Sequence, residues 1–148
     1  MKIEGQYILP GPPEAVWERL NDPAILVKSL PGVETLEPDG PDRYRAKIQY
    51  KMGAVSGTFA GEVELSDKNP PHAMKLKTSA RGGPGFVTAV GQLDLVAKGK
   101  ETEVHYSGDL QLGGLLAAVG SRMMEGAAKK SIDEFFQAIA TSLGNSSQ

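Results

Sequence analysis

From residue 43 the chain alternates. Tyr44, Ala46, Ile48, Tyr50 and Met52 are interleaved with Arg43, Arg45, Lys47, Gln49 and Lys51, the period-two pattern of a strand with one buried and one wet face. Val55, Gly57, Phe59, Gly61, Val63 and Leu65 repeat it, followed by Met74, Leu76 and Thr78, by Leu93, Leu95 and Ala97, and by Val104, Tyr106, Leu110 and Leu112. Turn-forming residues separate these runs at 38–41, 67–71, 82–85 and 98–101. Residues 2–9 alternate as well, with Ile3, Tyr7 and Leu9 on one face. The pattern predicts an antiparallel sheet of six to seven strands.

Two short helices are predicted after the first strand. Pro13 suits a first helical turn, Glu14 favours its positive end, and Val16, Trp17 and Leu20 form an apolar stripe that Asp22-Pro23 terminates. Residues 24–30 form the second, and Pro31-Gly32 turns the chain. At the other end of the sequence the period becomes helical over residues 115–143. That helix is ~44 Å long at ~1.5 Å per residue, matching strands of about ten to twelve residues that span roughly 33–40 Å. An apolar sheet face and a long amphipathic helix must bury each other. Gly57, Gly61, Gly91 and Gly108 inside strand patterns mark bends. The fold class is therefore α+β, a curved sheet around a long C-terminal helix. One domain covers residues 1–148, with 144–148 as a frayed tail.

The long helix carries two apolar stripes. Leu116, Val119, Met123 and Ala127 define one, and Ile132, Phe136, Ile139 and Leu143 define another turned by more than about 90°, which predicts a bend, or a change of buried face, between Gly126 and Lys130. Gly120 and Gly126 in a helix interior each cost ~1 kcal/mol relative to Ala, so they predict room for a ligand or close backbone packing. A cavity between the first half of the helix and the sheet would be lined by Tyr44, Tyr50, Met52, Phe59, Met74, Val119, Gly120 and Met123. Met adapts to varied shapes and Tyr hydroxyls supply polar handles. Phe86, at the end of the glycine-rich stretch 81–86, is the candidate lid residue. Gly120→Leu is expected to weaken ligand binding while stability holds or rises.

Composition narrows the chemistry. Sixteen basic and eighteen acidic side chains give a net charge of −2, and no basic run exceeds Lys129-Lys130, which excludes the concentrated positive face that nucleic acid requires. The absence of cysteine excludes disulfides, thiolate zinc sites and a cysteine nucleophile. No apolar run follows Lys2 to suggest a signal peptide, and the most apolar window, 110–120, is far short of the ~20 residues of a membrane-spanning helix. His72 and His105, the two histidines, fall in a turn and on a polar strand face. Ser107, His105 and Asp109 share that face, but neighbours two apart on a strand are ~7 Å apart, too far for a hydrogen-bonded relay. The glycines of 81–86 lack the Lys-Ser/Thr pair of a phosphate loop. Asn145-Ser146-Ser147 spells a glycosylation acceptor with no secretory signal. The residues point to a non-catalytic binding module with no metal or cofactor of its own.

Several motifs resemble a known family. Pro13-Glu14, Val16-Trp17, Leu20 and Asp22-Pro23, then Leu30-Pro31-Gly32-Val33-Glu34, Gly53, Gly57-x-Phe59-x-Gly61, the run from Gly113-Gly114-Leu115-Leu116 to Gly120, and Phe135-Phe136 are similar to those of the carbon monoxide dehydrogenase CoxG proteins, a branch of the START-like (SRPBCC) superfamily. The resemblance covers essentially the whole chain. It implies a helix-grip fold with an apolar cavity and an accessory role toward a molybdenum hydroxylase of the carbon monoxide dehydrogenase type, including that enzyme's recruitment to the membrane. It also implies engagement of a quinone- or lipid-like molecule and a cytoplasmic protein with at most peripheral contact at the cytoplasmic face of the membrane. Ser29 stands where relatives often carry Cys, and no hydrophobic C-terminal extension follows Leu143. Because some helix-grip proteins are cyclases or hydrolases, an enzyme acting on a hydrophobic substrate is the alternative, and an interaction domain with a filled core is a third. Inward-facing titratable groups would favour the enzyme; the inward positions here offer only tyrosines.

Overall fold

A computed structural model describes residues 1–52 and 55–146. Gly53, the side chain of Met52 and part of the Asn145-Ser146-Ser147 acceptor lie outside the described residues. Seven strands, β1 (Lys2–Leu9), β2 (Val33–Pro38), β3 (Arg43–Met52), β4 (Val55–Asn69), β5 (Ala73–Gly82), β6 (Gly85–Lys98) and β7 (Glu101–Gly114), form one antiparallel sheet in the order β1-β7-β6-β5-β4-β3-β2. Helices α1 (Pro13–Leu20) and α2 (Pro23–Ser29) link β1 to β2. The start of α2 is fixed by Asp22, whose carboxylate accepts from the Ala24 N–H at 3.0 Å. Helix α4 (Ser121–Ser146) closes the chain. It continues past Leu143 through residues expected to fray.

The core sits at one end of this grip. Leu9, Val16, Leu20, Leu65, Met74, Leu95, Val104, Phe136, Ile139 and Leu143 are buried against one another, so both short helices and the last turns of α4 meet the sheet there. Thr102, fully buried, ties that end together by donating its hydroxyl to the Gly11 carbonyl at 2.7 Å. The second predicted stripe, Ile132, Phe136, Ile139 and Leu143, belongs to this core.

The first stripe does not survive. The expected single helix over 115–143 is broken: α3 (Leu115–Ala118) is one turn, and Gly120 follows with φ of 103° before α4 begins. Positive φ is routine for glycine and costly for other residues, so Gly120 is a hinge between helices and not a gap in a helix interior. It is exposed and faces open space, so Gly120→Leu strains the backbone and the expectation that stability holds or rises is overturned. The break resets the helical phase. Met123 is 56% exposed and Met124, about 100° further round, is 5% exposed. With Met124 in place of Met123, the buried positions Met124, Phe136, Ile139 and Leu143 share one sector of α4. The chain bends at Gly120, and α4 runs uninterrupted through 126–130, where the bend was expected.

Candidate functional site

A strand presents alternate residues to each face, so the registers fix which side chains look inward. Row by row across the inner face, Ala46 pairs with Gly61, Gly61 with Ala80, and Ala80 with Val87, while Val63 pairs with Thr78 and Thr78 with Ala89. These rows lie between the closed core and the end where β5 turns into β6. They carry small side chains, and Ala46, Thr78, Ala80, Val87 and Ala89 are only half-buried. Beyond them, Tyr50 meets Phe59 edge-on with ring centroids 6.1 Å apart. This half-exposed strip of small side chains on the inner face, bounded by a packed core at one end and aromatic rings at the other, leaves uncovered surface of the kind a ligand covers.

Burial pushes the Tyr50 phenol above its ordinary value near 10. Because the folded pKa is the higher one, this group favours the folded state fully below pH ~10, and that contribution is lost as pH rises through the folded pKa. Titration at 295 nm should therefore show a late-ionising tyrosine that disappears in Tyr50→Phe. An upper limb unchanged by that substitution would show that Tyr50 is not desolvated.

The residues expected to line one cavity fall in several places. Tyr50 and Phe59 stand together at the cleft, and Tyr44 packs on the core from the inner face. Met74 is a core residue. Phe59 pairs with Gly82, eight residues along β5 from Met74, so the two are roughly 26 Å apart at ~3.3 Å per residue. Phe86 pairs with Arg81 on the outer face, where the guanidinium lies 5.7 Å from its ring centroid. It faces away from the cleft, which removes it as a lid. Val119 is half-buried in the link after α3, and Gly120 and Met123 are exposed. The side chains that shape the strip, Ala46, Ala80 and Ala89, were readable from the same alternation, but small residues leave no apolar peak to notice.

On the outer face a trough of about 460 Å³ runs past Arg43, Glu62, Lys77, Thr88 and Gln111. Its walls set Arg43, Glu62, Glu64, Lys77 and Asp109 beside Val90, so an apolar ligand lying there would desolvate charged groups. His105 points outward and pairs with Glu103, Nε2 to Oε1 2.6 Å. Asp109 lies 3.3 Å from the N-terminal ammonium. Ser107, His105 and Asp109 therefore form no relay. Among the described residues no three His, Cys, Asp or Glu side chains converge as metal ligands, and no helix is long and apolar enough to cross a membrane.

A curved seven-stranded sheet gripping a long helix, with an apolar strip left half-open, defines a helix-grip protein. The structure resembles a conserved protein from Geobacillus kaustophilus at a TM-score of 0.95 and 38% identity, over 99% of this chain and 97% of that one. It shares its fold alone with a Thermus thermophilus protein, at a TM-score of 0.67 and 19% identity over 96% and 99% of the two chains. The same holds for the ZhuI aromatase/cyclase of a Streptomyces species, at 0.73 and 13% over 100% and 96%. No curated protein sequence matches significantly. Residues 5–144 match the family of the carbon monoxide dehydrogenase subunit CoxG, and the chain belongs to that family.

Proposed function

We propose that this protein is a non-catalytic accessory protein of a carbon monoxide dehydrogenase-type molybdenum hydroxylase, and that it holds a quinone- or lipid-like molecule between α4 and the inner face of the sheet. The observation that carries the ligand is the half-exposed strip of Ala46, Thr78, Ala80 and Ala89. Interiors otherwise approach crystal packing density, and apolar surface left open to water forfeits ~25 cal/mol per Å². A ligand with an apolar ring or tail would recover that area. The family supports the partner. The polar groups on and beside this strip are hydroxyls, of Thr78 within it and Tyr50 beyond it, which suits orientation of a carbonyl-bearing ring better than proton transfer near neutral pH. The cyclase shares the fold and carries no argument for catalysis here, because function resides in the site.

Calorimetric titration with decylubiquinone tests the binding. One site per chain is expected, with a negative heat-capacity change from buried apolar area. Heats indistinguishable from dilution at each of two well-separated temperatures, both for this quinone and for a single-chain fatty acid, would overturn the apolar-ligand assignment.

A further inference from the structure

Helix α3 is a single turn held between two glycines of positive φ, Gly114 at 68° and Gly120 at 103°. It follows directly from β7 at the end of the sheet away from the core. Its four residues behave unequally. Leu115 is 63% exposed, Ala117 and Ala118 are exposed, and Leu116 is 1% exposed. Leu116 nevertheless stands outside the main core cluster, so its side chain is buried locally, at the open end of the grip. Among the described residues, one hydrogen bond ties α3 to the sheet, from the Leu116 N–H to the Pro84 carbonyl at 3.2 Å.

The post on which α3 closes is rigid. Pro84 is buried on Gly57, where a Cβ would come within 2.8 Å of its ring, and Gly85 packs so closely on the Gly113 backbone that a Cβ on it would collide with that carbonyl. The turn between β5 and β6, which leads to the candidate lid residue Phe86, is thus fastened on both sides. The adjoining α3 has one anchoring side chain, one hydrogen bond and a glycine at each end. Segments with few buried apolar contacts open at a small fraction of the global unfolding free energy.

We propose that α3 is a lid over the open end of the apolar cleft, hinged at Gly114 and Gly120 and plugged by Leu116. The role in ligand entry rests on the cleft assignment above, whereas the opening itself does not. Gly114 and Gly120 absorb the backbone rotation, Leu116 leaves its pocket, and the Pro84 bond breaks, while β7 and α4 stay in place. An apolar molecule then enters without unfolding of the core.

The cysteine-free sequence makes the opening measurable. In native buffer the Leu116→Cys thiol should react with a disulfide reagent at least ~100-fold faster than an Ile139→Cys thiol in the core, at a rate insensitive to low urea, because local opening exposes little surface. Leu65→Cys is a second core reference should Ile139→Cys fold poorly. Equal reactivity of the two sites would overturn the lid. In surface-plasmon-resonance binding of decylubiquinone, Leu116→Ala should raise the on- and off-rates together by about tenfold and change Kd by less than ~3-fold, as expected for a gate. A faster off-rate alone would make Leu116 an ordinary lining residue and would also overturn the lid. Absence of quinone binding by the unmodified protein would overturn the cleft assignment and leave the thiol result to decide the lid.

Discussion

Phe136→Ala should destabilise the protein by ~3–5 kcal/mol, the cost of emptying a buried aromatic site that cannot collapse. Phe136 is 2% exposed and is the hub of the aromatic packing at the closed end. Its ring stacks on Tyr7 with centroids 5.4 Å apart and lies 5.8 Å from Tyr106 and 5.2 Å from Phe135. Tyr7 and Tyr106 stand on β1 and β7, which pair with each other, so one side chain on α4 clamps the helix to two strands. Removing it leaves three rings facing a void. Urea unfolding should show a lower midpoint with an unchanged slope, and the melting temperature should fall by roughly 6–20 °C for a chain of this size. A loss below ~1 kcal/mol would mean that the end described as closed is loosely packed.

Ala80→Phe should act in the opposite way, at least about tenfold on affinity for decylubiquinone and little on stability. Ala80 shares its face with Met74 and Leu76 and sits between Gly61 and Val87. A phenyl ring there projects over the smallest stretch of the inner face. It occupies space that we assign to the ligand, and because that space is open the fold accommodates it with a change below ~1 kcal/mol, or about 4 °C in Tm. Val90→Phe is the matched control. Val90 is exposed on the outer face of the same sheet, so the same added bulk should leave quinone affinity unchanged. Equal losses in both variants would mean that neither reports on a cleft. A large loss of stability in Ala80→Phe would mean that the small residues are there for close packing.

Much of this architecture was readable from residue order, and the parts that were not have physical reasons. Alternation of apolar and polar side chains identified β3, β4, β5 and β7, and the stripe of Ile132, Phe136, Ile139 and Leu143 identified the face of α4 that enters the core. Both signals are local and periodic. Extrapolation failed where the period was interrupted. Carrying the phase of Leu116 through Gly120 placed Met123 inside, because nothing in the residue pattern shows that Gly120 takes a positive φ and ends the first turn. Phe86 was within reach: counting back by twos from Leu93 puts it on the opposite, outer face. Met74 has the correct face and the wrong end, since facing depends on parity alone while position along the strand depends on the register set by each turn.

We propose that the half-exposed inner face is kept open for an apolar molecule. Protein isolated from its own host and sprayed intact from a volatile buffer would show a retained ligand directly by mass. The expected spectrum shows a mass above that of the bare chain, released on collisional activation as a quinone- or lipid-sized species and depleted in Ala80→Phe but not in Val90→Phe. A bare chain in every preparation, with no added mass after incubation with decylubiquinone, would contradict it.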